Sequence, residues 1–499
     1  MSAENAHSDT SGPSQEDLER AYAAKWKAFG AISISFFTMV MSMSMVFLGL
    51  SAIADDFGVT LRAAQWVVIA QALTISALML PMGRMADIIG RKRVHLIGLT
   101  LFMGGAIFTA LSPMFGSFGI LILSRVIMAI GNSMGQSVGT AMVISVFPPA
   151  ERGKAIGSQT TAVAVGGAVG PALAGPIIQW LGWEWLFWIL VPPIAIAFVA
   201  GYFILDEKLV SQNRRGGGAK FDWLGSILSA ASIIGVILLI SNPLAISWTS
   251  PAMLGGGAVV TALVASFITW ELRIESPMLQ LRMFRNMVFS MGITTRFVGF
   301  LGTTAVRILM PIYLISLRGE SEGLAGLMLF MASLGMATGA QASGRLADRF
   351  SERPFTIFGF VILIASAVVF SFTTVDTEFW IVITALIVNG LAIGFWNVPN
   401  NSTIMGSVPR SEFGVVGAFT NLTRNLGNVF GQTIAAAIVV GVMASRGFDI
   451  PLSEIGDTPG AGNAFMAGWK AAYILVTGFS ALGLLLAIIT KPRAAVDED

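Results

Sequence analysis

The stretch Gly83-Arg84-Met85-Ala86-Asp87-Ile88-Ile89-Gly90-Arg91-Lys92-Arg93 decides how the chain is read. It lies between two apolar runs, 66–82 and 94–111. At about 1.5 Å per helical residue, each run is long enough to cross a bilayer. Four cations and one carboxylate in a tight link between two such helices belong in water, on the cytoplasmic side. Gly83 and Gly90 suit positions where a Cβ would block close helix approach or a sharp turn. Asp87 suits two roles, accepting hydrogen bonds from a helix N-terminus or pairing with a nearby Arg.

The surrounding composition agrees with a membrane setting. The chain is 55% hydrophobic and 12% charged, with a mean hydropathy of +0.77. A soluble domain carries roughly 25% charged residues. A net charge of +2 on such a chain does not point to nucleic acid. With no cysteine there is no disulfide, thiolate chemistry or Cys-ligated metal. The two histidines, His7 and His95, leave little for a metal site, and His95 reads as a satisfied interfacial side chain. No Ser/His/Asp set or phosphate loop suggests an enzyme, and no cofactor is called for.

Fourteen apolar segments follow in order, at 27–53, 64–83, 94–112, 117–147, 154–180, 186–205, 223–241, 253–271, 288–317, 323–343, 355–373, 379–407, 413–443 and 470–490. Loops on one side carry Arg152, Lys154, Lys208, Arg214, Arg215, Lys220, Arg273, Arg282, Arg285, Arg345, Arg349, Arg353 and Arg410. The termini add Arg20, Lys25, Lys27, Lys491 and Arg493 to that side, whereas the opposite loops hold Arg62, Arg318, Arg446 and Lys470. So lopsided a split predicts cytoplasmic termini and residence in a cytoplasmic membrane. The expected plan is all-α: a polar cytoplasmic tail (1–25), a six-helix half (26–205), a basic glycine-rich linker (206–222), two inserted helices (223–271), a second six-helix half (272–490) and a short tail (491–499). The loop at 444–468 is expected to be the largest external feature and partly ordered at most.

An internal repeat backs the two halves: Gly344-Arg345-Leu346-Ala347-Asp348-Arg349 follows the tenth span as Gly83 to Asp87 follow the second. The pattern G-x-x-x-D-x-x-G-R-K/R resembles the loop between spans 2 and 3 of the major facilitator superfamily of transporters. Span 4 carries Arg125, an expensive residue inside a membrane that faces protein or water, or else reaches to the outer surface. Its setting resembles the superfamily's fourth-span motif, where the Arg is associated with proton handling. Span 5 reads Gly166-Gly167-Ala168-Val169-Gly170-Pro171-Ala172-Leu173-Ala174-Gly175. It resembles the fifth-span motif of antiporters, which implies a hinge and seal between the halves, although small-residue packing also accounts for it. With Trp183-Glu184-Trp185, Ile404 to Pro409, and Arg424-Asn425-Leu426-Gly427-Asn428, the chain is similar over 28–492 to the fourteen-spanner drug/proton antiporters.

Two departures stand out. The first-span Asp of that family is Ser42 here, and the basic residue between the tryptophans is Glu184. The charge inside the membrane is instead cationic: Arg125, Arg296, Arg307 and Arg424. On a straight helix Arg296 and Arg307 share one face about 16 Å apart, with Thr303 between them. Such arginines either bind carboxylates or phosphates or reach opposite surfaces. By the same resemblance, spans 1, 4, 9 and 12 line a cavity. The candidates are Ser42 and Met45 with Met39, Met41 and Met43, then Asn132, Ser133 and Gln136, then Asn389, Trp396, Asn397, Asn400 and Asn401 around Pro399. The resemblance implies a monomeric, proton-coupled exporter of small amphipathic compounds that works by alternating access. The alternative is an organic-anion transporter, exporter or importer, that uses the arginines as substrate ligands.

Overall fold

The computed structural model describes residues 15–210, 221–242, 246–247, 249–409, 412–450, 452 and 455–490. Residues 1–14 of the expected tail, Arg214, Arg215 and Lys220 of the linker, Arg410, Lys491 and Arg493 lie outside them. Among the described residues all regular structure is helical, and fourteen helices are long and apolar enough to span a membrane. They are α1 (Gln15–Asp56), α2 (Trp66–Ile89), α3 (Arg91–Ala110), α4 (Phe118–Val146), α5 (Arg152–Leu181), α6 (Trp185–Ile204), α7 (Trp223–Ser241) and α8 (Pro251–Arg273). They continue with α9 (Met287–Leu317), α10 (Glu322–Phe350), α11 (Glu352–Ser371), α12 (Phe379–Gly406), α13 (Phe413–Ser445) and α14 (Ala461–Ile489).

Local chemistry sets the ends. Asp222, Ser250, Asn286 and Ser321 each accept a backbone N–H in the first turn of α7, α8, α9 and α10. These are the side chains best suited to the free donors of a helix start. Helix α1 begins at Gln15, ahead of residue 25 where the polar tail was expected to end. Its opening residues are good helix formers by type. Helix α14 begins at Ala461, not near 470. The loop before it is packed as well as short, with Ile455 buried in the apolar core and Gly456 against the Ser316 carbonyl.

The link between α2 and α3 is Gly90 alone, at φ 107° and ψ 139°, where a side chain would be strained. The face carrying this link is called the gate face below, after the gating role that the family resemblance implies for Gly83, Asp87, Gly90, Arg91 and Arg93. Only part of 83–93 meets water as expected: Arg93 is exposed, but Arg84, Asp87 and Arg91 are 2%, 8% and 3% exposed. Close approach of α13 covers them, because Gly83 has no Cβ to collide with Ala418 and the Gly414 carbonyl.

Helices α1 to α6 pack among themselves, as do α9 to α14. The groups meet where α5 crosses α10 and α12, and where α13 crosses α2 and α4. Helix α7 leans on α2 and α13, with α8 against α7. Two apolar clusters are shared: one near the gate face, with Ala141, Ile144 and Ile156 against Phe289, Ile404 and Phe413, and one with Leu73, Met79 and Ala129 against Ala418 and Leu422. Toward the far face each group keeps its own core, around Phe102, Leu121 and Phe187 in the first and Leu309, Phe370 and Trp469 in the second. The molecule is therefore joined at one face and divided toward the other.

Candidate gate and substrate pathway

Asp87 sits at the end of α2 against the start of α13. Its Oδ2 accepts the Val415 N–H at 3.3 Å, and its Oδ1 pairs with Arg91 Nη2 at 3.3 Å. Both roles open to it in the sequence are thus filled at once. Gly414 touches the carboxylate directly, so any side chain there would displace it. Arg91 also donates to the Val210 carbonyl at 3.2 Å, tying this contact to the chain that leaves α6. Gly90 and Gly83 make the approach possible. Arg93 is exposed on α3 and stands outside the contact.

The repeat copy builds the same device in reverse. Asp348, at the end of α10, accepts the Gly153 and Lys154 N–H groups at 2.6 and 2.7 Å, at the start of α5. Gly344 lies against the Gly153 carbonyl as Gly83 lies against that of Gly414. Each helix group therefore holds the positive end of a helix in the other with one carboxylate.

The span 5 motif has a different contact from the one expected. Gly166 and Gly170 fit the Phe37 and Met41 carbonyls of α1, within the first group. The inter-group glycines of α5 are Gly153 and Gly157, nearer the gate face. Gly175 has open space around it and is exposed, so the small-residue contact ends before it. Pro171 sits within an unbroken α5, where its missing donor leaves the helix assigned throughout.

Arg125 is fully buried and does not reach a surface. It donates to Gln71 Oε1 on α2 and to Met128 Sδ at 3.2 Å, and stacks 5.1 Å from the Phe187 ring centroid. Gln71 was missed in the sequence. Its signal was a lone amide in the apolar 66–82 run. At mid-depth the groups are bridged by polar side chains. Arg424 donates to Gln136 Oε1 at 2.9 Å, Asn421 to the Gln136 carbonyl at 2.9 Å, and Gln136 to Asn132 Oδ1 at 2.6 Å.

The straight-helix expectation for α9 fails. The helix is interrupted at Thr304 and ends in a π turn over Ile312–Leu317, so the stretch between Arg296 and Arg307 is not one straight helix. Arg296 is buried and donates to Asn397 Oδ1 at 2.7 Å and to the Thr420 carbonyl at 2.9 Å. Arg307 is exposed. Arg424 nonetheless lies within electrostatic range of Arg307, as Arg296 does of Arg424, so the three form a cationic series. Thr303 is buried and bonds back to the Phe300 carbonyl.

Several cavity candidates are packing residues. Met45 is fully buried in the first group's core, facing Gly170 of α5. Ser42 is fully buried and bonded to the Met39 carbonyl. Trp396 is wedged between Phe300 and Phe360. Asn400 donates to the Gly292 carbonyl of α9 and Asn389 to Ser366 Oγ of α11, so both hold helices together. Asn401 is buried, its Oδ1 without a hydrogen-bond partner among the described residues. His95 is fully buried with neither ring nitrogen hydrogen-bonded among the described residues, contrary to its expected satisfied state, because apolar α3 and α6 surfaces close over it.

Comparison with known proteins bears on all of this. The family model described as Major Facilitator Superfamily matches residues 31–432. The chain is 29% identical over 407 residues to the riboflavin transporter RibZ of Clostridioides difficile, covering 82% of this chain and 86% of that protein. It is 24% identical over 404 residues to the lincomycin resistance protein LmrB of Listeria monocytogenes, covering 81% and 84%. The crystal structure of the human organic anion transporter MFSD10 superposes with a TM-score of 0.62 at 18% identity, over 94% of this chain and 99% of that one. That last likeness is one of fold alone.

Proposed function

This chain belongs to the Major Facilitator Superfamily, and from that premise we propose that it exports small amphipathic organic compounds in exchange for protons, across the cell membrane. The observation that carries the reading is the asymmetry of the contacts between the two helix groups. Two reciprocal carboxylate-to-helix contacts and a shared apolar cluster join them at the gate face, while separate cores divide them toward the other. Residues 26–205 and 272–490 act as two units that rock about the α5–α10 and α2–α13 crossings. The gate face is cytoplasmic, in keeping with its arginines and lysines. Substrate occupies the divided region, next to Gln136, Arg424, Asn397 and Arg307, and the molecule works as a monomer. Arg125 lies on the proton route, with Gln71 as the neighbour that holds its guanidinium. The lincomycin resistance and riboflavin transport named for two relatives agree with cargo of this size and mixed polarity.

The exposed Arg307 in series with Arg424 and Arg296 favours a second reading, transport of organic anions. A guanidinium offers a carboxylate or phosphate two parallel donors. Flux in sealed vesicles, under pH gradients of either sign and with anionic, neutral and cationic solutes, separates the two. Export expects uphill flux of amphipathic solutes against an inward proton gradient, little changed by Arg307→Gln. Loss of anion flux alone on Arg307→Gln supports the second reading, and flux that ignores both gradients removes proton coupling.

A further inference from the structure

The two helices inserted between the six-helix groups end beside the gate, and one of their buried acids lies within electrostatic range of its arginine. Asp222 caps α7 by accepting the Gly225 N–H at 2.9 Å, and both its oxygens accept Trp270 Nε1, at 3.0 and 3.1 Å. One residue further along α8, Glu271 is 3% exposed. Its Oε2 accepts the Leu279 N–H at 3.1 Å, and its Oε1 has no hydrogen-bond partner among the described residues. Glu271 lies within electrostatic range of Asp222 and of Arg84 on α2. Arg84 is also within range of Asp87, and both line a narrow cleft with Met278, Glu412 and Val415. The result is a row of alternating and competing charges: Asp87, Arg84, Glu271, Asp222.

A buried carboxylate with one bare oxygen is costly when ionised, and is relieved by a cation or by a proton. Arg84 is the cation within reach, and Asp87 draws on it as well. We propose that the insertion carries a proton-operated restraint on the gate. Ionised, Glu271 shares Arg84, leaving the Asp87 charge directed at the N-terminus of α13. Protonated, Glu271 gives up that share. Arg84 then neutralises Asp87, and the hold on the Val415 N–H weakens. Asp222 stays fixed by its two donors, the Gly225 N–H and the shared Trp270 Nε1–H, and stands beside Glu271 as a second negative charge. Glu412 adds a further negative charge to the cleft that Arg84 faces. The insertion is then a working part of the gate, and acid on that face loosens it. This rests on reading the α2–α13 contact as a gate.

The cysteine-free chain makes the test direct. Val415→Cys places a single thiol in the cleft of the full-length protein in liposomes. Its maleimide labelling rate is measured across pH and divided by that of a free thiol. One proton linked to opening changes the open fraction by up to about tenfold per pH unit, rising toward acid. Adding Glu271→Gln is expected to give fast, pH-independent labelling, and Glu271→Asp to restore the slope. If Glu271→Gln keeps the original slope, or the reporter chain shows no slope, the proposal is overturned. Should Glu271→Gln not assemble, Trp270→Phe, which strips donors from Asp222 alone, must shift the profile, and an unmoved profile counts against it equally. A reporter insensitive to Asp87→Asn at every pH sinks the gate reading instead.

Discussion

The two copies of the repeat, 83–91 and 344–352, adopt one backbone design and surround it with opposite chemistry. In both, a glycine lets a neighbouring helix of the other group come close, and an aspartate one turn later holds that helix's first N–H groups. Asp87 is buried between Arg84 and Arg91. Asp348 is exposed, and its electrostatic neighbours are acids, Glu352 and Glu151. Arg91 of the first copy has Glu352 at its counterpart position, bonded by Ser402 at 3.1 Å. The turn differs too. Gly90 adopts its positive φ freely, whereas Ser351 is held at φ 114° in the same place. The first copy is thus a desolvated ion network, and the second a solvated pair of hydrogen bonds on a strained turn. Duplication kept the geometry, and each copy took on its own energetics.

Three substitutions probe this contrast. Asp87→Asn is expected to have the largest effect, because it removes the charge from a buried network and leaves arginines without their partner. A loss of about 2–3 kcal/mol of gate closure is expected. Labelling of a gate-face cysteine would then rise about 30- to 150-fold, and an unchanged rate would break the comparison. Ser351→Gly should stabilise the second copy by about 1 kcal/mol, since it relieves positive-φ strain in a non-glycine residue. A thermal unfolding scan in detergent reads this as a rise of about 1–2 °C. Asp348→Asn should cost about 0.5 kcal/mol or less, because removing its repulsion with Glu352 and Glu151 offsets the weaker acceptor. That small loss should shrink further in high salt, which screens the exposed site and spares the buried one.

Much of the fold was legible because hydropathy reports directly on bilayer-spanning length, and all fourteen spans came from it. Gly83, Asp87 and Gly90 were legible because missing side chains and lone charges have few uses at a helix link. What the sequence hid depends on partners distant along the chain. It gave no sign that α13 would bury Arg84, or that Gln71 would meet Arg125. The straight-helix reading of α9 missed the interruption at Thr304 between Arg296 and Arg307, which hydropathy does not signal. Met45 and Trp396 were read as lining a cavity by helix number alone, and their shape complementarity to Gly170 and Phe360 put them in the core.

The crossing of α5 and α10 brings bare main chain against bare main chain, with Gly153 and Gly157 opposite Ala340 and Gly344. Beyond the Asp348 contacts, two side-chain hydrogen bonds among the described residues cross it, from Gln341 Nε2 to Ser158 Oγ at 3.3 Å and from Thr161 Oγ1 to the Ala337 carbonyl at 3.2 Å. One group sliding or tilting on the other there has few side chains besides these to move. In the proposed rocking cycle the barrier then falls mainly on the charged contacts at the rim. Faster or slower variants should therefore be sought among those charges, while bulk added along this smooth seam would jam the motion without altering what is carried.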